Sequence, residues 1–255
     1  MFKLPENKPQ VPKDTPRNYF IYGETMSGKS YLANEFPSPF IINTDGNAEA
    51  NTVPAHQLRN VKDSDGKITD SVIDQISAIL LALQTQKHTY KTVVIDVIDD
   101  VIEMFKMAIC NKFHVKSLSE VPYGKGYDYF NQAITEMVLD LKALPMNVIY
   151  ISRQISEYDD NGNASKDKPS LKDKYVNLIN GNSDLMIKTE KIGRNYSRTV
   201  ERKRKTYVSN QVDDQEILKI LTTIDGAVQV AKETPKQAPK EEIKQTQTTT
   251  EEDIF

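Results

Sequence analysis

Residues 18–31 read NYFIYGETMSGKSY. The apolar run from Asn18 to Tyr22 stops at a glycine, as a buried strand does when it leaves a sheet for a turn. From Gly23 the chain continues Gly23-Glu24-Thr25-Met26-Ser27-Gly28-Lys29-Ser30, which satisfies G-x-x-x-x-G-K-[ST]. Each fixed position has a physical task. Gly23 and Gly28 let the backbone turn its N–H groups inward, toward phosphate oxygens. A helix starting near Lys29 adds the positive end of its dipole to that cradle. Lys29 reaches the β- and γ-phosphates as a point charge, and the Ser30 hydroxyl ligates Mg²⁺. The strand–loop–helix reading therefore predicts a nucleotide-binding stretch made of Gly23, Glu24, Thr25, Met26, Ser27, Gly28, Lys29, Ser30 and Tyr31, with ATP and Mg²⁺ as the cofactors.

Such a loop needs a partner strand that ends in an acid to organise the metal. Two runs offer one: Thr92–Asp96 (TVVID), four apolar or β-branched residues and then a carboxylate, and the shorter Ile41–Asp45. The longer run arrives later in the chain and makes Asp96 the expected member of the Mg²⁺ shell, acting through water. Asp99 and Asp100 follow. They read equally as polarisers of the attacking water and as first-turn acids favoured by a helix dipole.

Outward from these motifs, short apolar runs alternate with helical periodicity. Strands are expected at Phe40–Asn43 and Asn147–Ser152, with later ones at Leu185–Lys188 and Thr199–Val208. Helices are expected near Lys29–Glu35, over 70–86, through Val101–Asn111 and over Tyr127–Leu144. Residues 47–68 read as irregular, and 153–182 as a long polar loop. Alternating strands and helices imply an α/β fold with a mostly parallel sheet and right-handed crossovers. The expected organisation is a lead-in over 1–17, a core over 18–231 and a disordered tail over 232–255 that is rich in Lys, Glu, Gln and Thr.

Composition excludes several classes. The chain has 255 residues, 38% of them hydrophobic and 27% charged, enough for one core with a polar tail. No apolar stretch approaches the roughly 18 residues of a membrane span. One cysteine, Cys110, rules out an intrachain disulfide framework. The start, MFKLPENKPQVPKDTP, lacks the apolar segment of a secretory signal, so a cytoplasmic location is the expectation. The net charge is −3, yet residues 188–205 carry eight basic side chains against two acidic ones. That contrast marks a local basic segment rather than a basic protein.

The stretches YFIYGETMSGKSYLANEFP, FIINTDGN, TVVIDVIDD, YGKGYDYF and ALPMNVIYISRQ, spread over residues 18–155, together resemble the phage nucleotide-binding AAA ATPases. Members of that group include core-only, single-strand-annealing relatives of the RecA-type recombinases. The resemblance implies a RecA-like P-loop NTPase core with strand order 5-1-4-3-2, a homo-oligomer, and an ATP site between neighbouring subunits. It also implies roles. Asp45, at the end of the second strand, takes the place of the carboxylate that orients the attacking water, one methylene shorter than the usual Glu. Ser152 and Gln154 fall where a γ-phosphate sensor links to a DNA-binding loop. Arg202, Lys203, Arg204 and Lys205 are candidates for fingers reaching a neighbour's γ-phosphate in trans or for DNA contacts, and alternation on a strand would send Arg202 and Arg204 to one face and Lys203 and Lys205 to the other.

Basic residues interleaved with Tyr196 and Tyr207 also suit single-stranded DNA, by phosphate contact and base stacking, while a solvated strand face explains the same composition. The tail ends Thr250-Glu251-Glu252-Asp253-Ile254-Phe255, three acids and two apolar residues, which resembles the tip of single-stranded-DNA-binding proteins. Such a tip would dock on a replication partner or fold back on the basic segment. The leading expectation is a Mg²⁺-dependent ATPase acting on single-stranded DNA. The second is an ATP-switched assembly or loading factor with little turnover. A small-molecule kinase fits less well, because the expected lid region holds only Arg153.

Overall fold

A computed structural model describes residues 14–46, 52–158 and 164–231, together with Leu4 and residues 6–8. The elements run β1 (Asn18–Gly23), α1 (Lys29–Asn34), β2 (Pro39–Asn43), β3 (Ala55–Gln57), β4 (Val61–Lys62), β5 (Ile68–Asp70), α2 (Val72–Thr85), β6 (Thr92–Asp96), α3 (Ile98–Lys112), α4 (Lys125–Ala143), β7 (Asn147–Tyr158), β8 (Ala164–Pro169), α5 (Asp173–Asn182), β9 (Leu185–Ile192), β10 (Asn195–Lys203) and α6 (Gln215–Leu221).

The main sheet has the order β10-β9-β1-β7-β6-β2-β3, with β8 paired to the outer half of β7. Pairings from β9 across to β3 are parallel, whereas β10 and β8 are antiparallel. Counting β1, β2, β6, β7 and β9 as first to fifth gives 5-1-4-3-2, the order the resemblance implies. The central strands are apolar on both sides because helices cover both sides. Phe20, Ile42, Val93, Ile95, Val148 and Tyr150 meet α2, α3, α4 and α5 on one face. Ile21, Ile41, Val94, Ile149, Ile151 and Ile187 meet Leu32 and Ala33 of α1 and Ile217, Ile220 and Leu221 of α6 on the other. Each fully buried Val, Ile or Leu contributes about 1.5–3 kcal/mol relative to exposure, so these two layers hold the strand ends in fixed positions. Among the described residues no helix is long and apolar enough to cross a membrane.

Three expectations need correction. The described residues of 153–182, 153–158 and 164–182, do not form one long loop. β7 runs on past Ser152 to Tyr158, returns as β8 with Gln154 opposite Pro169 and Ile155 opposite Lys168, and leads into α5. The hairpin is solvated, which accounts for its polar composition, while Leu171, Tyr175 and Ile179 anchor the rest of the segment to the core. The stretch 47–68 is not wholly irregular either. β3 extends the sheet edge and β4 pairs β5 in a small hairpin, all largely exposed, so no apolar pattern marks them. Residues 47–51 lie outside the described residues.

The two strands expected at Leu185–Lys188 and Thr199–Val208 are present with other bounds, Leu185–Ile192 and Asn195–Lys203, and pair as a β-hairpin that turns at Gly193 with φ 63°. Its alternation is broken by a bulge between Val200 and Arg202, and β10 ends at Lys203. Arg202 to Lys205 therefore do not present alternating faces of one strand. The expected tail from 232 lies outside the described residues. Of the lead-in, residues 14–17 are already tied to the core: the Tyr19 hydroxyl donates to the Pro16 carbonyl at 2.6 Å, and Asp184 accepts from the Arg17 backbone at 2.8 Å.

Candidate functional site: a phosphate loop at the carboxyl ends of the strands

The carboxyl ends of β1, β2 and β6 come nearly level with one another, and β7 and β9 run on past them. Gly23 pairs with Arg153 on one side and Thr189 on the other, and Asn43 pairs with Asp96. Between β1 and α1 the loop Gly23–Gly28 crosses this edge. Gly23 is fixed by crowding, since a Cβ there would run into the Thr189 carbonyl and stand 2.6 Å from Ser27 Oγ. Gly28 takes φ 90°, a left-handed conformation that costs side-chain-bearing residues, and caps α1. Met26 also has positive φ, 63°, within the same turn. Strain of that kind concentrates at binding loops. Ser27 is buried and shares a 2.7 Å hydrogen bond with Thr189 Oγ1, which fastens the loop to β9.

Two side chains of the motif, Lys29 and Ser30, are held at the loop by hydrogen bonds. Lys29 Nζ donates to the carbonyls of Gly23 at 2.9 Å and Glu24 at 2.6 Å. Burial lowers its pKa, a trend opposed by nearby Asp96. Ser30 Oγ donates to Asp96 Oδ2 at 2.6 Å. That bond joins the motif serine to the strand-end acid chosen from sequence. Asp96 is buried, and its pKa is raised by desolvation, opposed by the Ser30 hydrogen bond, with Asp45 adding to the rise. A hydroxyl and a carboxylate in contact are the hard-oxygen donors that Mg²⁺ accepts while keeping most of its waters and the phosphates as ligands. Among the described residues no group of three or more His, Cys, Asp or Glu could hold a metal by itself. The donor set thus fits a cation that arrives with the nucleotide, held by Ser30 and Asp96.

The remaining acids are all engaged. Asp45 is exposed at the end of β2 and accepts from Asn43 Nδ2 at 2.9 Å. Asp99, on the first turn of α3, accepts from Ser152 Oγ at 3.1 Å, from the Arg153 backbone N–H at 3.3 Å, and from Ser170 Oγ. Asp100 forms a two-pronged pair with Arg153, at 2.6 and 2.7 Å, and accepts from Thr44 Oγ1 at 3.1 Å. In the sequence Arg153 reads only as part of a lid. The structure sets it one residue beyond the buried part of β7, beside Gly23. Its position after a buried strand was the signal that could have found it. Ser152 is fully buried and bonded to Asp99. Gln154 lies in the hairpin ladder; its Oε1 is buried without a partner among the described residues, and its side chain hydrogen-bonds Asp167.

Arg202 to Lys205 stand elsewhere. Because β10 runs antiparallel to β9, they lie at the amino ends of β1 and β9, opposite Leu185 and Met186, away from the loop. Arg204 donates to the carbonyls of Gly181 at 2.6 Å and Ser183 at 3.0 Å and faces Asp184 at 3.4 Å. Lys205 pairs with Asp14, and Lys203 donates to the Gly226 carbonyl at 3.3 Å. The half of the hairpin that does reach the loop carries Thr189, Tyr196 and Arg198. A cleft of about 570 Å³ opens there, walled by Gly28–Tyr31 on one side and Tyr196 and Arg198 on the other. Arg198 is clamped by Glu35 at 2.5 and 2.7 Å, which ties β10 to the end of α1.

A comparison with the curated proteins finds no match. The protein-family model described as an AAA domain, by contrast, matches residues 15–215, which include every parallel strand of the core, the phosphate loop and Asp96. The chain belongs to the AAA domain family, a group of P-loop ATPases.

Proposed function

We propose that the protein is a Mg²⁺-dependent ATPase of the core-only recombinase type, acting on single-stranded DNA in phage recombination or replication. The observation that carries the ATPase part is the 2.6 Å hydrogen bond from Ser30 to Asp96 at the mouth of a loop whose Lys29 is already turned inward. In a P-loop ATPase that pair holds the metal, Lys29 draws charge off the leaving phosphates, and barrier lowering is mostly electrostatic and positional. Asp45 is the acid for orienting water, being exposed at the strand end and close enough to raise the pKa of Asp96. Support for the DNA part is the resemblance over residues 18–155 together with the basic hairpin. A homo-oligomer with sites between neighbours, and a replication partner met by the acidic tip, belong to the same reading.

One observation favours a second reading, an ATP-switched assembly or loading factor with slow turnover. Asp99 and Asp100 are both committed to hydrogen bonds with Ser152, Arg153 and Thr44. Of Asp45, Asp99 and Asp100, Asp45, short in reach and itself bonded to Asn43, is then the one left at the surface to serve the water. The test is ATP hydrolysis with and without single-stranded DNA, against duplex, with Lys29→Ala as the blank. Stimulation by single strands alone upholds the first reading. DNA-indifferent hydrolysis removes the DNA part. Tight ATP binding with no turnover selects the switch.

A further inference from the structure

The cleft beside the phosphate loop has a composition unlike the metal end. Tyr196 is 56% exposed, Tyr31 70% and Met26 80%, three large side chains grouped around one opening. Exposed apolar groups gathered at a concavity mark a binding site, and the cleft's size suits a small ligand. The ring of Tyr196 lies directly over the loop. A Cβ built on Gly28 would stand 3.2 Å from Tyr196 Cδ1 and 3.6 Å from its neighbour on the ring. Lys191, its cross-strand partner, reaches to 5.4 Å from the ring centroid. Arg198, two residues on, is anchored by Glu35 and by Thr223 Oγ1 at 3.0 Å, so the strand that bears Tyr196 is fixed against α1.

Ser30 and Asp96 mark the metal end of the loop. Whatever extends from bound phosphates toward β10 meets Tyr196. We propose that this cleft takes the base and ribose of the nucleotide, with the base stacked on Tyr196, and that it reads the base weakly; the inference rests on the nucleotide-binding reading of the loop. The weak reading follows from the lining. Among the described residues, no side-chain carboxylate or carboxamide lines the cleft. The Ser27 and Ser30 hydroxyls are committed to Thr189 and Asp96, and the Arg198 guanidinium to Glu35 and Thr223. Base edges are left with tyrosine hydroxyls. A stacking platform accepts any base, because every base has a π-face. Discrimination between purines requires polar groups built to match one edge.

The experiment is calorimetric titration of the full chain, in Mg²⁺, with ATP, GTP and inorganic tripolyphosphate, for the wild type, Tyr196→Ala, Tyr196→Phe and Lys29→Ala. Expected is a loss of about 5- to 150-fold in affinity for both ATP and GTP in Tyr196→Ala, the span given by base–aromatic stacking. Tripolyphosphate binding stays at the wild-type level, Tyr196→Phe restores the nucleotides, and wild-type ATP and GTP affinities agree within a few-fold. The inference is overturned if Tyr196→Ala weakens tripolyphosphate as much as ATP, for the ring then only supports the loop. Unchanged ATP affinity in Tyr196→Ala, or wild-type preference for one purine beyond 100-fold, also overturns it. Loss of oligonucleotide binding alone in Tyr196→Ala assigns the ring to DNA instead. A wild type that binds neither ATP nor tripolyphosphate in a Lys29-dependent way defeats the nucleotide-binding reading itself, whereas Lys29-dependent tripolyphosphate binding with an indifferent Tyr196 defeats only this one.

Discussion

The two ends of the basic hairpin carry similar charge and do different work. Lys188 to Arg198 climb to the phosphate loop, where Thr189 bonds Ser27 and Arg198 clamps Glu35. Arg202 to Lys205 descend to the opposite edge of the sheet, where Arg204 closes on the carbonyls that end α5 and Lys205 on Asp14. A helix carboxyl end attracts cations because its last carbonyls lack partners. Lys203, Arg204 and Lys205 are bonded to carbonyls and acids of the fold, and the upper part of the hairpin walls the phosphate loop. A run of basic residues therefore gives no address for its charge; the descent of β10 from Arg198, opposite Thr189, to Arg202 and Lys203, opposite Met186 and Leu185, divides it.

The largest expected effect lies at the upper end. Lys29→Ala should lower turnover by about 10²–10³-fold, the loss typical of one preorganised electrostatic contact, measured as steady-state phosphate release with the melting midpoint as control. The side chain is only partly buried, so the fold should survive. An active Lys29→Ala protein would break the assignment of the loop.

Asp96→Asn should be next, and should separate function from stability. Burial raises the carboxyl pKa, so the folded chain holds this proton to higher pH than the unfolded chain does. The stability that Asp96 contributes is present below the unfolded pKa and is lost as pH rises through the raised one. At neutral pH the ionised group is thus a cost. Asn keeps a partner for Ser30 without the charge. In EDTA, Asp96→Asn should melt higher than wild type at pH 7, by about 2–4 °C for each kcal/mol gained, and the gain should shrink toward pH 4, while Mg²⁺-dependent hydrolysis is lost. A lower midpoint at pH 7 would show that the carboxylate supports the fold.

Third comes the clamp. The Arg198 side chain is 14% exposed and makes two short bonds to Glu35. Arg198→Ala should cost about 1.5–3 kcal/mol, the worth of hydrogen bonds to a charged group, read by urea unfolding, and should weaken ATP because β10 loosens over α1.

The parts visible in sequence are those where local pattern and local structure coincide. TVVID and NVIYIS are buried on both faces, and a β-branched run needs nothing else to declare a strand. The phosphate loop is legible because its glycines answer to backbone geometry at fixed spacing. The Ser30–Asp96 contact joins residues 66 apart, yet each residue announced itself by motif. Arg153–Asp100, Ser27–Thr189 and Tyr196 over Gly28 did not, since each is a product of strand order. The hairpin β7–β8 reads as a loop in the sequence because a strand pair solvated on its surface shows no apolar alternation.

The smallest effect is expected at the lower end, and it bears most directly on the contrast between the two ends. Arg204 is half exposed and its pair with Asp184 is long, 3.4 Å, so screening leaves it modest. Arg204→Ala should cost about 1 kcal/mol in urea unfolding, chiefly through the uncovered carbonyls of Gly181 and Ser183. Lys203→Ala, with one exposed bond to Gly226, should fall within about 0.5 kcal/mol of wild type. Neither should alter ATP affinity, because both lie across the sheet from the loop. Their effect on turnover is the deciding measurement. In an oligomer, a finger supplied to a neighbour would leave affinity alone and still reduce hydrolysis, more so at protein concentrations where subunits associate. If Arg204→Ala or Lys203→Ala slows hydrolysis in that concentration-dependent manner, the lower end belongs to a second subunit's site and the division of labour fails. If turnover per subunit is unchanged from dilute to concentrated protein, these cations act only where they stand, on the ends of α5 and the strands beside it.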